Sequence, residues 1–332
     1  MKYMRSGKRW VDPIRSLLVA AVLAFTAAVQ AQVDLPATWE SQLYSDHPFV
    51  GKIFNSRTSK FLPLNDLLVA VEGASYLLLG EKHDNPDHHH LQAAILDYLI
   101  AKQLISQVAF EMLDTDAKDL LDDIQQQQLS SLDELKNYLQ WDEEGWDWSF
   151  YGPLVDALYR GGISMTAANI NSARMMQVYS EALPATIQGV LDASTMEQLN
   201  FDIDESHCGL LPESQFPAMV RVQQYRDFIM AGSMNSTDQD KLSVLVAGNY
   251  HIRQDLGVPN YLRAQNMQPD DAPINNNIVA LSFMEVDPEI TDPSEYLQQF
   301  GAVPAYDFIW FTPAISNEDY CCLLYTSDAA DE

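Results

Sequence analysis

Residues 77–90 read LLLGEKHDNPDHHH. An apolar run ends at Gly80. Glu81 and His83 follow at once, and three consecutive histidines close the stretch, in a chain that has only seven. The run LLL has no polar alternation, which fits a strand covered on both faces. Asn85 or Asp84 can cap a helix whose first turn begins at Pro86. Leu91, Ile95, Tyr98 and Leu99 then make its apolar stripe. A second apolar strand, QVAFEM (107–112), comes next. The order strand, helix, strand predicts an α/β fold with a mostly parallel sheet.

The same pattern continues. Further strands are expected at 163–169 (ISMTAAN), within 242–251 (LSVLVAGNYH), at 277–286 (NIVALSFMEV) and at 306–313 (YDFIWFTP). Helices are expected in DAKDLLDDIQQ, SLDELKNYLQW, FYGPLVDALYRG and AMVRVQQYRDFIMAGSM. The helical insertions, about 113–160 and 172–241, predict flanking helices plus a smaller helical subdomain over one end of the sheet.

Both ends of the chain read differently from its middle. Lys2, Arg5, Lys8, Arg9 and Arg15 precede the apolar run SLLVAAVLAFTAAV (16–29), and Val29 and Ala31 suit a cleavage site before Gln32. Residues 1–31 are thus expected to be a signal peptide and the protein to be exported, to the periplasm or cell surface. No lipobox cysteine follows. Residues 322–332 (CLLYTSDAADE) resemble a translated sequencing adaptor, so Cys322 carries no argument and the domain is read as 32–321. In an oxidising compartment Cys208 and Cys321 can pair, or stand as two isolated small side chains.

With 19 basic and 47 acidic residues, the formal charge is -28. A polyanion repels a phosphate backbone, which argues against nucleic-acid binding. The motifs C-x-x-C-H, H-E-x-x-H, G-x-S-x-G and Walker A are absent, and one glycine at residue 80 is too few for a dinucleotide fingerprint.

In open α/β sheets ligands bind beyond the carboxyl ends of the strands. Those ends deliver Glu81 and His83, then Glu111, then Asn169, then Asn249 and His251. GEKH and GNYH repeat the spacing Gly-x-x-His, each directly after an apolar strand. His83 and His251 can ligate a metal or act as general bases. Glu81 and Glu111 can bind a metal, orient a histidine or pair with Arg226. Arg226 could equally meet a carboxylate of a ligand. Neighbours on a helix diverge by about 100°, so His88 is the one of the three expected to face the site, with His89 and His90 solvated. The aromatic cluster Trp141, Trp146, Trp148, Phe150 and Tyr151 is expected to be packing, with stacking on a flat ligand as the alternative.

Together these stretches resemble the ChaN-like haem-binding proteins, in the superfamily that also holds Tiki-type proteases and erythromycin esterases. The resemblance runs over about residues 45–320. It includes FEM (110–112), WDWSFYGPL (146–154), AAN (167–169), HCG (207–209), QQYRDFIMA (223–231) and AGNYHIRQDLGVP (247–259). It implies haem binding for iron acquisition, with His83, Asn169, Arg226, Tyr250 and His251 as cofactor-binding candidates. A homodimer and an outer-membrane haem uptake receptor are the implied partners. Relatives use a tyrosine as iron ligand; no motif here singles one out. The residues alone equally suit a hydrolase built on Glu81, His83, Glu111 and His251. In that reading either a divalent metal sits on His83, Glu111 and His251, or a histidine acts as base.

Overall fold

The computed structural model describes Met1 and residues 32–236, 238, 240–266, 277–297 and 302–318. The expected signal peptide beyond Met1, Cys321 and the 322–332 tail lie outside the described residues. The eight strands among them are β1 (Ile53–Asn55), β2 (Lys60–Leu62), β3 (Tyr76–Glu81), β4 (Ile105–Asp114), β5 (Ser164–Asn169), β6 (Leu242–Gly248), β7 (Ile278–Glu285) and β8 (Phe308–Thr312). The helices are α1 (Leu64–Glu72), α2 (Pro86–Ala101), α3 (Lys118–Asp123), α4 (Leu132–Leu139), α5 (Trp148–Gly161), α6 (Ser172–Ser180), α7 (Ala185–Gln188), α8 (Ala193–Ser206), α9 (Phe216–Ser233) and α10 (Val258–Asn266).

The strands form one sheet in the order β2-β1-β8-β7-β3-β6-β4-β5. From β8 to β5 every pairing is parallel; β1 joins β8 antiparallel and pairs with β2 as a hairpin. All six strands expected from the apolar runs are present. Residues of β6 and β8 are buried throughout, because helices cover both faces of the sheet. The expected stripe of α2 holds: Leu91, Ile95, Tyr98 and Leu99 are buried. Asn85 is its cap, accepting from the Asp87 and His88 amides, and Pro86 opens its first turn.

Strand order is what brings the chemistry together. β6 lies between β3 and β4, so the two Gly-x-x-His strands are direct neighbours. Glu81 pairs in register with Gly248, and Phe110 with Val246. The segment 113–160 contributes α3–α5, with α5 packed on α2; 172–241 contributes α6–α9, with α9 packed on β5 and α10. No helix among the described residues is long and apolar enough to cross a membrane. Cys208 is held in a disulfide; its expected partner Cys321 lies outside the described residues.

Candidate functional site

Glu81 ends β3 with its side chain buried, where it gathers three groups. The His83 ring nitrogen Nδ1 lies 2.9 Å from Oε1, and the Tyr151 hydroxyl donates to the same oxygen at 2.5 Å. His89 Nδ1 stands 3.3 Å from Oε2. When the imidazole is neutral and gives Nδ1–H to Glu81, its Nε2 carries the outward-facing lone pair. That atom has no hydrogen bond among the described residues; its nearest carboxylate is Glu111, 4.0 Å away. Burial opposes charge on His83. The Glu81 hydrogen bond and the Glu111 and Glu81 carboxylates outweigh burial and raise its pKa above the ordinary imidazole value, with His251 pulling the other way.

Glu111 is the hub. Its buried carboxylate receives the Gly248 amide at 2.8 Å and Arg226 Nη2 at 2.6 Å, with His251 Nε2 3.4 Å away. Burial alone would push this carboxyl up. The positive charge and hydrogen bond of His251, then Arg226 and His83, hold it well below the usual carboxylate range. Asn169 completes the hub, donating to the Glu111 carbonyl at 3.0 Å and accepting from Arg226 Nε at 3.0 Å. Arg226 is therefore the partner of Glu111, as one sequence reading had it.

His251 is buried between two acids. Its Nδ1 lies 2.5 Å from Asp227 and 3.1 Å from the Gln223 amide. Burial disfavours its charge, but Glu111 and then Asp227 raise its pKa to about 9. A histidine whose folded pKa exceeds its unfolded value contributes stability fully below the unfolded pKa, near 6.5, and loses it as pH rises through the folded one. Thermal stability should therefore fall between about pH 7 and 10. The His251 ring should stay protonated by NMR until near pH 9; a ring that titrates near its ordinary value would contradict this.

The remaining expected residues fall elsewhere. Tyr250 turns away and donates to Asp202 at 2.8 Å. His88 does not face the site: it is fully buried, accepts the Lys82 amide at 2.9 Å and meets the Thr312 hydroxyl at 2.9 Å. His89, expected to be solvated, is instead buried, because Phe150 of α5 stacks on it at 4.8 Å and Tyr151 meets it edge-on. His90 is exposed, as expected. The aromatic cluster is largely packing, but Trp146 meets the His83 ring edge-on at 4.8 Å.

Sequence reasoning missed the roles of Tyr151, Asp227 and Gln223. Gln223 and Asp227 are four residues apart on α9, hence on one face, and that spacing was the available signal. Tyr151 had none, since only the packing of α5 on α2 brings it to Glu81.

Two pairs, Glu81–His83 and Asp227–His251, thus flank one carboxylate at the carboxyl edge of a parallel sheet. Residues 67–262, more than half of the chain, match the family model described as haem-binding uptake, Tiki superfamily, ChaN. The chain belongs to the ChaN family. A solved structure titled "Cofacial heme binding to ChaN of Campylobacter jejuni" is 24% identical, covers 78% of this chain and 95% of its own, and superposes with a TM-score of 0.63. That likeness shows the ChaN fold. An erythromycin esterase mutant in its open conformation covers 70% of this chain and 77% of its own at 13% identity. Its TM-score of 0.38 is too low to bear on chemistry. No curated protein sequence matches the chain.

For a divalent ion, no group of three or more His, Cys, Asp or Glu is arranged as a cage among the described residues. The donors are turned toward one another, with Glu111 on Arg226 and His251 on Asp227. For haem iron, one imidazole with a free Nε2 and a carboxyl behind its Nδ1 is a suitable donor, and His83 meets that description.

Proposed function

We propose that this protein binds haem at the carboxyl edge of the sheet, with His83 as the iron donor, in the service of haem and iron acquisition. The observation that carries the reading is the state of His83. Nδ1 is anchored by Glu81, Nε2 is uncommitted, and the side chain is 40% exposed beside Trp146. Two tyrosines near this edge are engaged: Tyr151 on Glu81 and Tyr250 on Asp202. Burial and Glu81 also push the Tyr151 phenol far above its ordinary range, which disfavours the phenolate that iron would need. When bound, haem would supply the iron. The chain supplies the imidazole, the carboxyl that orients it and the indole beside it.

Export to the periplasm or cell surface, a homodimer and transfer to an outer-membrane haem receptor belong to the same proposal. The basic and apolar opening segment and the ChaN family membership support them. Titration of the full chain with ferric haem should give a saturable Soret shift at fixed stoichiometry. A featureless, non-saturating rise would refute the reading.

One observation favours hydrolysis as a second reading: the paired histidines face each other across Glu111. In that case His251, protonated at neutral pH, would donate a proton to a leaving group. Hydrolysis of simple esters that disappears in both His83→Ala and His251→Ala, with the fold intact, would establish it.

A further inference from the structure

The unit of the chain that contains the sheet begins at Gln32. That limit coincides with the cleavage site expected from the sequence, where Val29 and Ala31 take the small-residue positions after the apolar run. A processing pattern and a boundary of the fold thus fall on one peptide bond, and the residue that follows it is a glutamine.

Gln32 is exposed, and its carboxamide has no hydrogen-bond partner among the described residues. Residues 33–38 likewise neither donate nor accept a hydrogen bond among them. The first amides to be held are those of Glu40 and Ser41, which donate to the two oxygens of the Asp87 carboxylate at 2.8 and 2.9 Å. Asp87 is fully buried in the first turn of α2. Leu43 then bridges to Ala314. The leading segment is therefore clamped at Asp87, and the stretch before the clamp is open to solvent and to enzymes.

In a terminal glutamine the α-amine and the side-chain carbonyl are spaced to close a five-membered lactam, so the reaction is intramolecular and needs no co-reactant. We propose that Gln32 is a modification site: once export has freed its α-amine, it cyclises to pyroglutamate. The amine nitrogen bonds to the side-chain carbonyl carbon Cδ, and the Cδ–Nε2 bond breaks. The departing nitrogen takes a proton from the amine and leaves as ammonia, and nothing is oxidised or reduced. A terminal amine titrates at about pH 8, so part of it is in the nucleophilic form near neutrality. The inference rests on the export reading above. It adds a protective role, because chain ends are where proteolysis concentrates. A pyroglutamyl end offers no free amine to an aminopeptidase, whereas an unblocked end is trimmed toward the groups that Asp87 holds.

The test expresses the full chain and Gln32→Ala in a secreting bacterial host and recovers both at neutral pH without denaturation. Residue 32 is exposed, so the variant should keep the fold. The first tryptic peptide of the processed chain runs from Gln32 to Lys52, the first basic residue after the cut. The intact protein and this peptide should both be one ammonia lighter than the sequence requires, and an aminopeptidase should leave the native protein whole. Gln32→Ala should begin at the same position, carry a free amine and lose its first residues to the same aminopeptidase. A chain that begins at Gln32 and keeps its carboxamide through prolonged incubation at neutral pH would overturn the inference and leave export standing. A cut at another bond would overturn the assignment to Gln32, again with export intact. A chain that keeps Met1 would end the export reading, and this inference with it.

Discussion

Gly257→Ala is expected to destabilise the protein by roughly 3 kcal/mol or more, at the upper end of what overpacking costs. The loop from Gly248 folds back so that the Val258 amide donates to the His251 carbonyl at 2.8 Å and the Gly257 amide to the Arg253 carbonyl at 2.9 Å. A Cβ on Gly257 would overlap the His251 carbonyl oxygen and lie 2.8 Å from its carbonyl carbon and 3.1 Å from the Arg253 nitrogen. All three are backbone atoms, so no rotamer change relieves the clash. The loop must move, and His251 moves with it, away from Asp227 and Glu111. Chemical denaturation should show the loss, and the His251 pKa should fall toward its ordinary value in whatever folded protein remains. A variant within about 1 kcal/mol of the parent would mean that the loop is held more loosely than described.

Glu111→Gln should cost roughly 3–5 kcal/mol at neutral pH, the range for leaving a buried charge without its partner. Glu111 is the common counter-charge for Arg226, His251 and, at longer range, His83. The amide keeps the shape but removes the negative charge, so protonated His251 is left with Asp227 alone. The loss should shrink as pH rises through about 9, where His251 is neutral in the parent too. Denaturation at pH 7 and pH 10 measures both. An equal cost at the two pH values would show that Arg226, not His251, carries the dependence on Glu111.

Much of this arrangement is written locally in the chain. A parallel strand covered on both faces is a continuous apolar run, and the first polar residues after it mark the carboxyl edge. That is why Glu81, His83, Glu111, Asn169 and His251 could be named from LLLG, VAF, TAA and LVAG. The cap at Asn85 and the stripe of α2 were legible for the same reason. The β1–β2 hairpin was not, because two three-residue strands are too short to show a period. Neither was the strand order. The insertion of β6 between β3 and β4 is decided by contacts 167 residues apart on one side and 136 on the other, and no local pattern encodes it.

His89 shows the same limit within one helix. Angular spacing separates it from His88, but what covers each is decided by α5 and β8, and both turn out buried. Tyr151 reads as one more aromatic until α5 docks and aims its hydroxyl at Glu81.

The central claim is that the imidazole of His83 holds haem iron at this edge. Its most direct test is a Soret titration of the parent beside His83→Ala and His251→Ala, with near-ultraviolet circular dichroism to confirm the fold of each. His83→Ala should weaken haem binding at least about 100-fold and change the spectrum of any residual complex, while His251→Ala should keep the parent spectrum. A His83→Ala protein with the parent's spectrum and affinity would contradict the account.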